Sequence, residues 1–341
     1  MLIFYLVFLL IALFSLYNNK QAKNIFFICS GLILFSLAAS RSGGVDNDYT
    51  GYINYYNDIL HHSFSRVEPT FILITRIVDR IFSNNLYLFI IYALLGIFLK
   101  FYAISTLTSF RLLSVLVYFS GFFLLFEMTQ IRAGVAAGLL LNCIAPIKER
   151  RLGLFIFLAS LASLFHYSAL VIFPLYFLNG KKLNELIYLL LIPFAYILYY
   201  SKFNILLLAR EIPIPLVQIK LSTYLYWASL NSTINLFNYV HISRCLLAFL
   251  FLWKWRLIAE TNPYSIILTK IYVIAIFVFV AFANIPAISS RISELLMIVE
   301  IILIPYLIII LKPKYLSISV VIGIAFTFLN FFLLYTKIFK F

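Results

Sequence analysis

The chain has 341 residues, of which 64% are hydrophobic and only 11% charged. Soluble domains carry about a quarter charged residues and about half apolar ones, so composition excludes a water-exposed fold. The formal charge of +14 does not mark a nucleic-acid binder, because Lys and Arg stand in ones and twos between apolar runs, as anchors of membrane spans do.

Apolar runs of about 15–22 residues suit a hydrocarbon core about 30 Å thick, at 1.5 Å of rise per helical residue. In chain order they fall at 2–17, 24–39, 86–107, 111–127, 132–147, 152–166, 167–179, 184–200, 234–252, 264–284, 292–311 and 315–335. This predicts an all-α, polytopic transmembrane helical bundle of about twelve spans, one integral membrane domain over 1–341 whose partner is the lipid bilayer. The first run, Met1–Tyr17, lacks a basic leader and a small-residue cleavage site, and reads as a retained helix. Cys29, Cys143 and Cys245 sit singly within apolar stretches and read as packing residues.

The linkers set the orientation. Lys20 and Lys23, Lys100 and Arg111, Lys148-Glu149-Arg150-Arg151, Lys181-Lys182, Lys254-Trp255-Arg256 and Lys312-Pro313-Lys314 all fall on one side of a twelve-span chain. With Lys270 that side holds 14 Lys/Arg against the three acids Glu149, Glu185 and Glu260, leaving 12 and 9 on the other. The positive-inside rule makes the first side cytoplasmic and puts both termini outside. Two outer segments exceed turns. Residues 40–85 form a first outer loop in which Phe71–Phe82, interrupted by Arg76, Asp79 and Arg80, is expected to lie at the interface rather than span. Ser201–Thr233 combines Lys202, Arg210, Glu211 and Lys220 with Tyr224, Tyr226 and Trp227, and reads as a second interfacial lid.

Ionisable groups at membrane depth are costly, and those here gather on the outer face: Arg41, Asp46, Asp48, Glu68, Glu127, Arg132, His166, Arg291 and Glu294. Arg41-Ser-Gly-Gly-Val-Asp46-Asn-Asp48-Tyr49 follows a membrane helix directly. Its carboxylates suit a divalent cation or a base that accepts a proton from a sugar hydroxyl; its composition equally suits a solvated turn. Glu68-Pro69 reads as a helix start or as part of the site. Arg132 and Arg291 each open an apolar span from outside. They either snorkel to the headgroups or clamp an anion such as a lipid diphosphate. Glu294, one helical turn from Arg291, suits a simple pairing with it. His166 interrupts an apolar run and is a packing histidine, a phosphate donor or a proton carrier. His61, His62 and His241 show no metal-ligand spacing with it, so no metal and no cofactor is expected.

Taken in order, Arg41 followed by Asp48-Tyr-Thr-Gly-Tyr52, Glu68-Pro-Thr-Phe71, Ile131-Arg132-Ala-Gly-Val-Ala-Ala-Gly138, Phe165-His166-Tyr-Ser-Ala-Leu170 and Ser290-Arg291-Ile-Ser-Glu294 resemble the EpsG family. That family includes Wzy-type polymerases of bacterial surface polysaccharides. The resemblance implies a GT-C-like membrane glycosyltransferase that polymerises undecaprenyl-diphosphate-linked oligosaccharide repeat units into O-antigen or exopolysaccharide, outside the bacterial cytoplasmic (inner) membrane. Asp48 matches the family aspartate and Asp46 is an extra carboxylate, so the base is Asp48 or Asp46; Arg132, His166 and Arg291 are assigned to the departing diphosphate, with Arg41 in support. Glu68 and Glu294 complete the substrate site. Tyr49, Tyr52, Tyr55 and Tyr56 either stack on sugars or form an interfacial belt. A chain-length-determining co-polymerase is an expected partner. The competing readings are an O-antigen ligase with the same donor, a flippase of lipid-linked oligosaccharide, which calls for ionisable residues along the midplane, and a membrane acyltransferase using His166.

Overall fold

An uncharged run of Leu, Ile, Phe and Val in a medium without water has one local way to satisfy its backbone N–H and C=O groups, the helix. The computed structural model contains helices and no strand among its described residues, which are 1–341 except 18, 42, 44–45, 47, 62–66, 202–217, 219–221, 223–233 and 337–341. The elements are α1 (Leu2–Leu16), α2 (Lys20–Ala39), α3 (Tyr49–Leu60), α4 (Pro69–Phe82), α5 (Leu86–Leu107), and α6 (Arg111–Tyr118), which widens into a π-helical segment, Phe119–Glu127. Then come α7 (Ile131–Glu149), α8 (Leu152–Phe165), a 3-10 helix (Tyr167–Phe177), α9 (Glu185–Tyr200), α10 (Tyr239–Trp253), α11 (Trp255–Thr261), and α12 (Ser265–Ala281). The last two are α13 (Pro286–Met297), prolonged by short helical turns to Ile310, and α14 (Lys314–Asn330), prolonged to Tyr335. Asn19, Asn184 and Asn238 start α2, α9 and α10 by accepting backbone N–H groups on their side chains.

Every predicted apolar segment is helical over most of its length, and five helices are long and apolar enough to cross a membrane: α2, α5, α7, 286–310 and 314–335. Six shorter apolar helices accompany them. Leu2, Leu13, Phe98, Phe157, Ile197 and Leu246 are all exposed, an apolar exterior of the kind that lipid covers and water does not tolerate. The protein is membrane-embedded.

The structure differs from the sequence reading at one span boundary and in the first outer loop. The span placed at 292–311 begins at Pro286, so Arg291 and Glu294 lie within the helix rather than opening it; Pro at the first helical position starts it ahead of a polar Ser289-Ser290 pair. The first outer loop contains a helix, α3, that was not expected before α4. Its buried face, Tyr52, Tyr56 and Ile59, follows the helical period, although Gly51, Asn54 and Asn57 weaken the local propensity. The predicted lid at 201–233 lies outside the described residues apart from Ser201, Gln218 and Ser222.

The bundle has two polar ends. At one, Lys148 Nζ donates to Gly180 O, Lys270 Nζ donates to Asn179 O and Lys182 O, and Asn262 donates to Leu107 O. At the other, the N-termini of α4 and α7 meet the C-terminus of α8 through Glu68, Arg132 and His166. Arg41, just beyond the end of α2, ion-pairs there with Asp46 of the loop that leads into α3.

Between the ends, α5 and α7 approach closely. A Cβ on Gly138 would lie 2.8 Å from Leu99 Cβ, and one on Gly96 would lie 2.2 Å from Glu127 Oε2. Lys100 occupies this contact, which corrects its assignment as an anchor in the α5–α6 turn. It is fully buried, and its Nζ donates to Glu127 Oε1 at 2.5 Å and to Gly134 O at 2.6 Å. The Tyr118 hydroxyl donates to the same Glu127 oxygen at 2.9 Å. The π-helical turn carries Glu127 into this position. A second deep pair, Arg244 on α10 with Glu300, makes two bonds of 2.9 and 3.2 Å. The ionisable groups therefore do not gather wholly at one face. A buried charge without its partner costs about 3–5 kcal/mol, whereas replacing both partners by apolar groups costs little. Lys100→Met should therefore lower the thermal midpoint of the purified protein sharply, and Lys100→Met/Glu127→Leu should recover most of that loss in the same melting measurement.

Candidate active site

The site is assembled from loop and helix-end residues that a shared ring cluster holds in place. The Arg41 guanidinium makes a fully buried bidentate pair with Asp46, Nε to Oδ2 at 2.8 Å and Nη2 to Oδ1 at 2.7 Å. Asp46 Oδ1 also accepts the backbone N–H groups of Asp48 and Tyr49, each at 2.9 Å. Asp46 thus closes the loop onto the start of α3, and its acceptors are committed. Asp48, two residues on, caps no backbone group and is exposed. Its surroundings still remove enough water to raise the carboxyl pKa, and the charge of Asp46 adds to the shift. Arg41, Arg132 and Arg291 lie within electrostatic reach and pull it the other way.

Glu68 bears out the reading as a helix start: it is the residue before α4, with Pro69 at the first helical position, and its carboxylate reaches across the bundle end. One oxygen accepts Arg132 Nη1 and the other lies 3.1 Å from His166 Nδ1. Burial by itself raises the Glu68 pKa, but the His166 hydrogen bond and the Arg132 charge outweigh it and hold the carboxyl at about 2. His166 ends α8, and with Nδ1 directed at Glu68 its Nε2 is the nitrogen left for a further partner. The neighbouring bond from Thr70 Oγ1 to Leu164 O, 2.8 Å, pins α4 to the same end of α8.

Aromatic rings underlie both arginines. Arg41 stands over Tyr49, Tyr52 and Phe89, at 5.7, 5.7 and 5.0 Å from the ring centres. Arg132 stands over Tyr52, Tyr55 and Phe71 at 5.5, 5.6 and 5.5 Å. Tyr52 and Tyr56 are buried, so their faces are taken up by packing rather than presented to a ligand, contrary to a stacking role on sugars. The Tyr56 hydroxyl donates to Asp79 of α4 at 3.2 Å. Tyr49 stacks on Phe89 at 4.7 Å. Burial pushes the Tyr52 phenol above its ordinary pKa, which keeps it protonated beside Arg132.

The structure brings together every predicted site residue except Glu294, which is reached through an intermediary. Gln130 Nε2, two residues before Arg132, donates to Glu294 Oε2 at 3.3 Å. Gln130 was absent from the sequence reading; its place ahead of Ile131-Arg132 was the only signal. Among the described residues, Arg132 Nε and Arg41 Nη1 are buried without a hydrogen-bond partner. Among the same residues no group of three or more His, Cys, Asp or Glu stands close enough to hold a metal ion.

A family model described as EpsG family matches residues 24–341, nearly the whole chain. The chain belongs to the EpsG family. No curated protein and no solved structure matches it significantly. EpsG-family members are Wzy-type polymerase-like, which gives this membrane-embedded chain a polysaccharide-polymerase-like role. The order of the motifs in this EpsG-family chain now has a geometric counterpart, since Arg41, Asp48, Glu68, Arg132, His166 and Arg291 come from five stretches of sequence and serve one bundle end.

Because the folded pKa of Glu68 lies below the ordinary carboxylate value, its stabilising contribution is complete above about pH 4.5 and is lost as pH falls toward 2. Glu68→Gln should remove a contribution of at most about 3 kcal/mol at pH 7. Melting temperatures recorded from pH 7 to 3 should fall more steeply below pH 4.5 for the unmodified protein than for the variant.

Proposed function

We propose that this protein polymerises undecaprenyl-diphosphate-linked oligosaccharide repeat units on the non-cytoplasmic face of the bacterial inner membrane. The growing glycan moves from its lipid diphosphate to a sugar hydroxyl of a second lipid-linked unit. The observation that carries this reading is the meeting, in an EpsG-family chain, of an uncommitted carboxylate, Asp48, with three arginines and a carboxylate-bound histidine.

A glycosyl diphosphate already has a good leaving group. The reaction needs a base for the incoming hydroxyl and fixed positive charge for the departing diphosphate. Asp48 takes the hydroxyl proton as that oxygen attacks the anomeric carbon; burial raises its pKa, and unlike Asp46 its carboxylate is not held by Arg41 and backbone N–H groups. Asp46, tied to Arg41 and to the N–H groups at the start of α3, positions Asp48. As the bond from anomeric carbon to phosphate oxygen breaks, the diphosphate keeps the electron pair. Arg132, His166 and Arg291 receive its charge, with Arg41 behind them. Glu68 holds Arg132 and His166 at a fixed separation. In this reading the chain crosses twelve times with both termini outside, and a co-polymerase sets chain length. The deep pairs Lys100–Glu127 and Arg244–Glu300 are the one feature that favours a transporter. Each neutralises itself, and the side chains of the first are almost wholly closed off from any path.

The test is reconstitution in proteoliposomes with lipid-linked repeat units extracted from the source cells. The unmodified protein should produce a ladder of lengthened lipid-linked glycans. Asp48→Asn should slow it by about 100-fold or more and Asp46→Asn less, with Arg132→Ala strongly impaired. Retained activity in both aspartate variants and their double variant removes the base assignment. Transfer only to lipid A core indicates a ligase, and movement of the lipid without a ladder indicates a transporter.

A further inference from the structure

A cavity of about 290 Å³ opens between the π-helical segment, α10, α12, α13 and the C-terminal helix. Of its lining, the sequence motifs singled out only Ser293-Glu294, and its volume is that of a small ligand pocket, enough for one ring-sized group. Its polar lining is unusual in chemical kind. Arg244 is neutralised by its two bonds to Glu300. Asn238 donates its amide to Asn235 O and accepts from His241 N. His241 Nε2 is bonded to the Tyr196 hydroxyl, while Arg244 and Asn238 each keep further N–H groups, so the lining offers donors as well as acceptors. The Glu294 carboxylate accepts one bond of 3.3 Å from Gln130, and a carboxylate has room for several. Ser293 and Thr336 give their hydroxyl protons to Ser290 O and Phe332 O, which leaves oxygen lone pairs toward a ligand. Phe122, Phe279 and Phe331 supply apolar surface around them.

With Arg244 already bound to Glu300 and the Glu294 carboxylate beside it, the described lining residues offer a phosphate no cation that is not already paired. A hydrocarbon tail would leave Glu294 buried with a single weak bond. A sugar ring answers both surfaces, since its hydroxyls donate and its C–H face packs on aromatic rings. We infer that this cavity is a carbohydrate subsite, taking one sugar ring of the glycan with Glu294 as its principal hydrogen-bond acceptor. The inference rests on the polymerase reading for its biological ligand. Gln130 ties the cavity to the residue before α7, and Arg291 lies one turn from Glu294 on α13. A ring seated there would therefore stand next to the proposed diphosphate clamp.

The experiment is saturation-transfer NMR on the full chain in lipid nanodiscs, with glucose, galactose, N-acetylglucosamine and rhamnose as free probes and undecaprenyl phosphate run separately. Expected is saturation of at least one sugar, abolished by the cavity-filling Met297→Trp, weakened about tenfold by Glu294→Gln, and kept in Arg132→Ala. Glu294→Gln is nearly isosteric and carries the test if Met297→Trp does not fold. No saturated sugar, or equal saturation in a folded Glu294→Gln protein, overturns the inference. Saturation confined to prenyl protons makes the cavity a lipid-tail site and overturns it too. A polymer ladder together with either overturning result leaves the polymerase standing. Sugar saturation with the expected variant pattern but no ladder leaves the subsite standing and removes the polymerase.

Discussion

Glu68 is the group on which the candidate site depends. It sits between a cation from the start of α7 and an imidazole from the end of α8, and it heads α4. In a nearly dry setting a carboxylate with two such partners is strongly held in its ionised form, and each partner is fixed in turn by the same charge. Without it, Arg132 would stand over the Tyr52 and Phe71 rings without its ion-pair partner, and His166 would lose the bond that orients its ring. The Arg41–Asp46 pair plays the matching part on the other side of Tyr52, where it closes a loop instead of joining helices. The two clusters share that one tyrosine, so the loop and the helix ends are mechanically one unit.

The same physics acts deeper in the bundle with a different outcome. Lipid tails are as apolar as leucine, so helices gain little from hiding apolar faces and rely on close packing and polar bonds. Gly96 and Gly138 let α5 and α7 approach, and Lys100–Glu127, with Tyr118, fills the gap they create. Lys100 also donates to the carbonyl of Gly134, two residues along α7 from the proposed diphosphate-binding Arg132. The deep pair therefore fixes the depth and rotation of the helix that presents Arg132, although it takes no part in the chemistry.

Much of the candidate site was legible residue by residue. Arg41, Asp48, Glu68, Arg132, His166 and Arg291 stood out because an ionisable side chain beside an apolar run needs a reason for its cost. What they would bond to was not legible, since partners such as Glu68 and His166 are separated by 98 residues. Asp46 and Asp48 are chemically alike and two residues apart, and only the fold distinguishes the one consumed by Arg41 from the one left exposed. Lys100 misled because a lysine near a helix end usually anchors at the headgroups; that it turns inward depends on two glycines on neighbouring helices. Helix α3 was masked by residues of poor helical propensity, which burial of Tyr52 and Tyr56 overrides.

The amino-acid sequence alone determined that the chain is helical and membrane-embedded, and which ionisable side chains stand out as candidates, because both follow from local composition and from the cost of charge in an apolar medium. Only the tertiary structure decided which charges pair, which aspartate remains uncommitted, which tyrosines are buried, and that a cavity opens at Glu294 and Arg244. Those outcomes depend on contacts between residues far apart in the chain. The energy of such contacts is set by distance and dielectric in the folded state, quantities that no stretch of sequence contains.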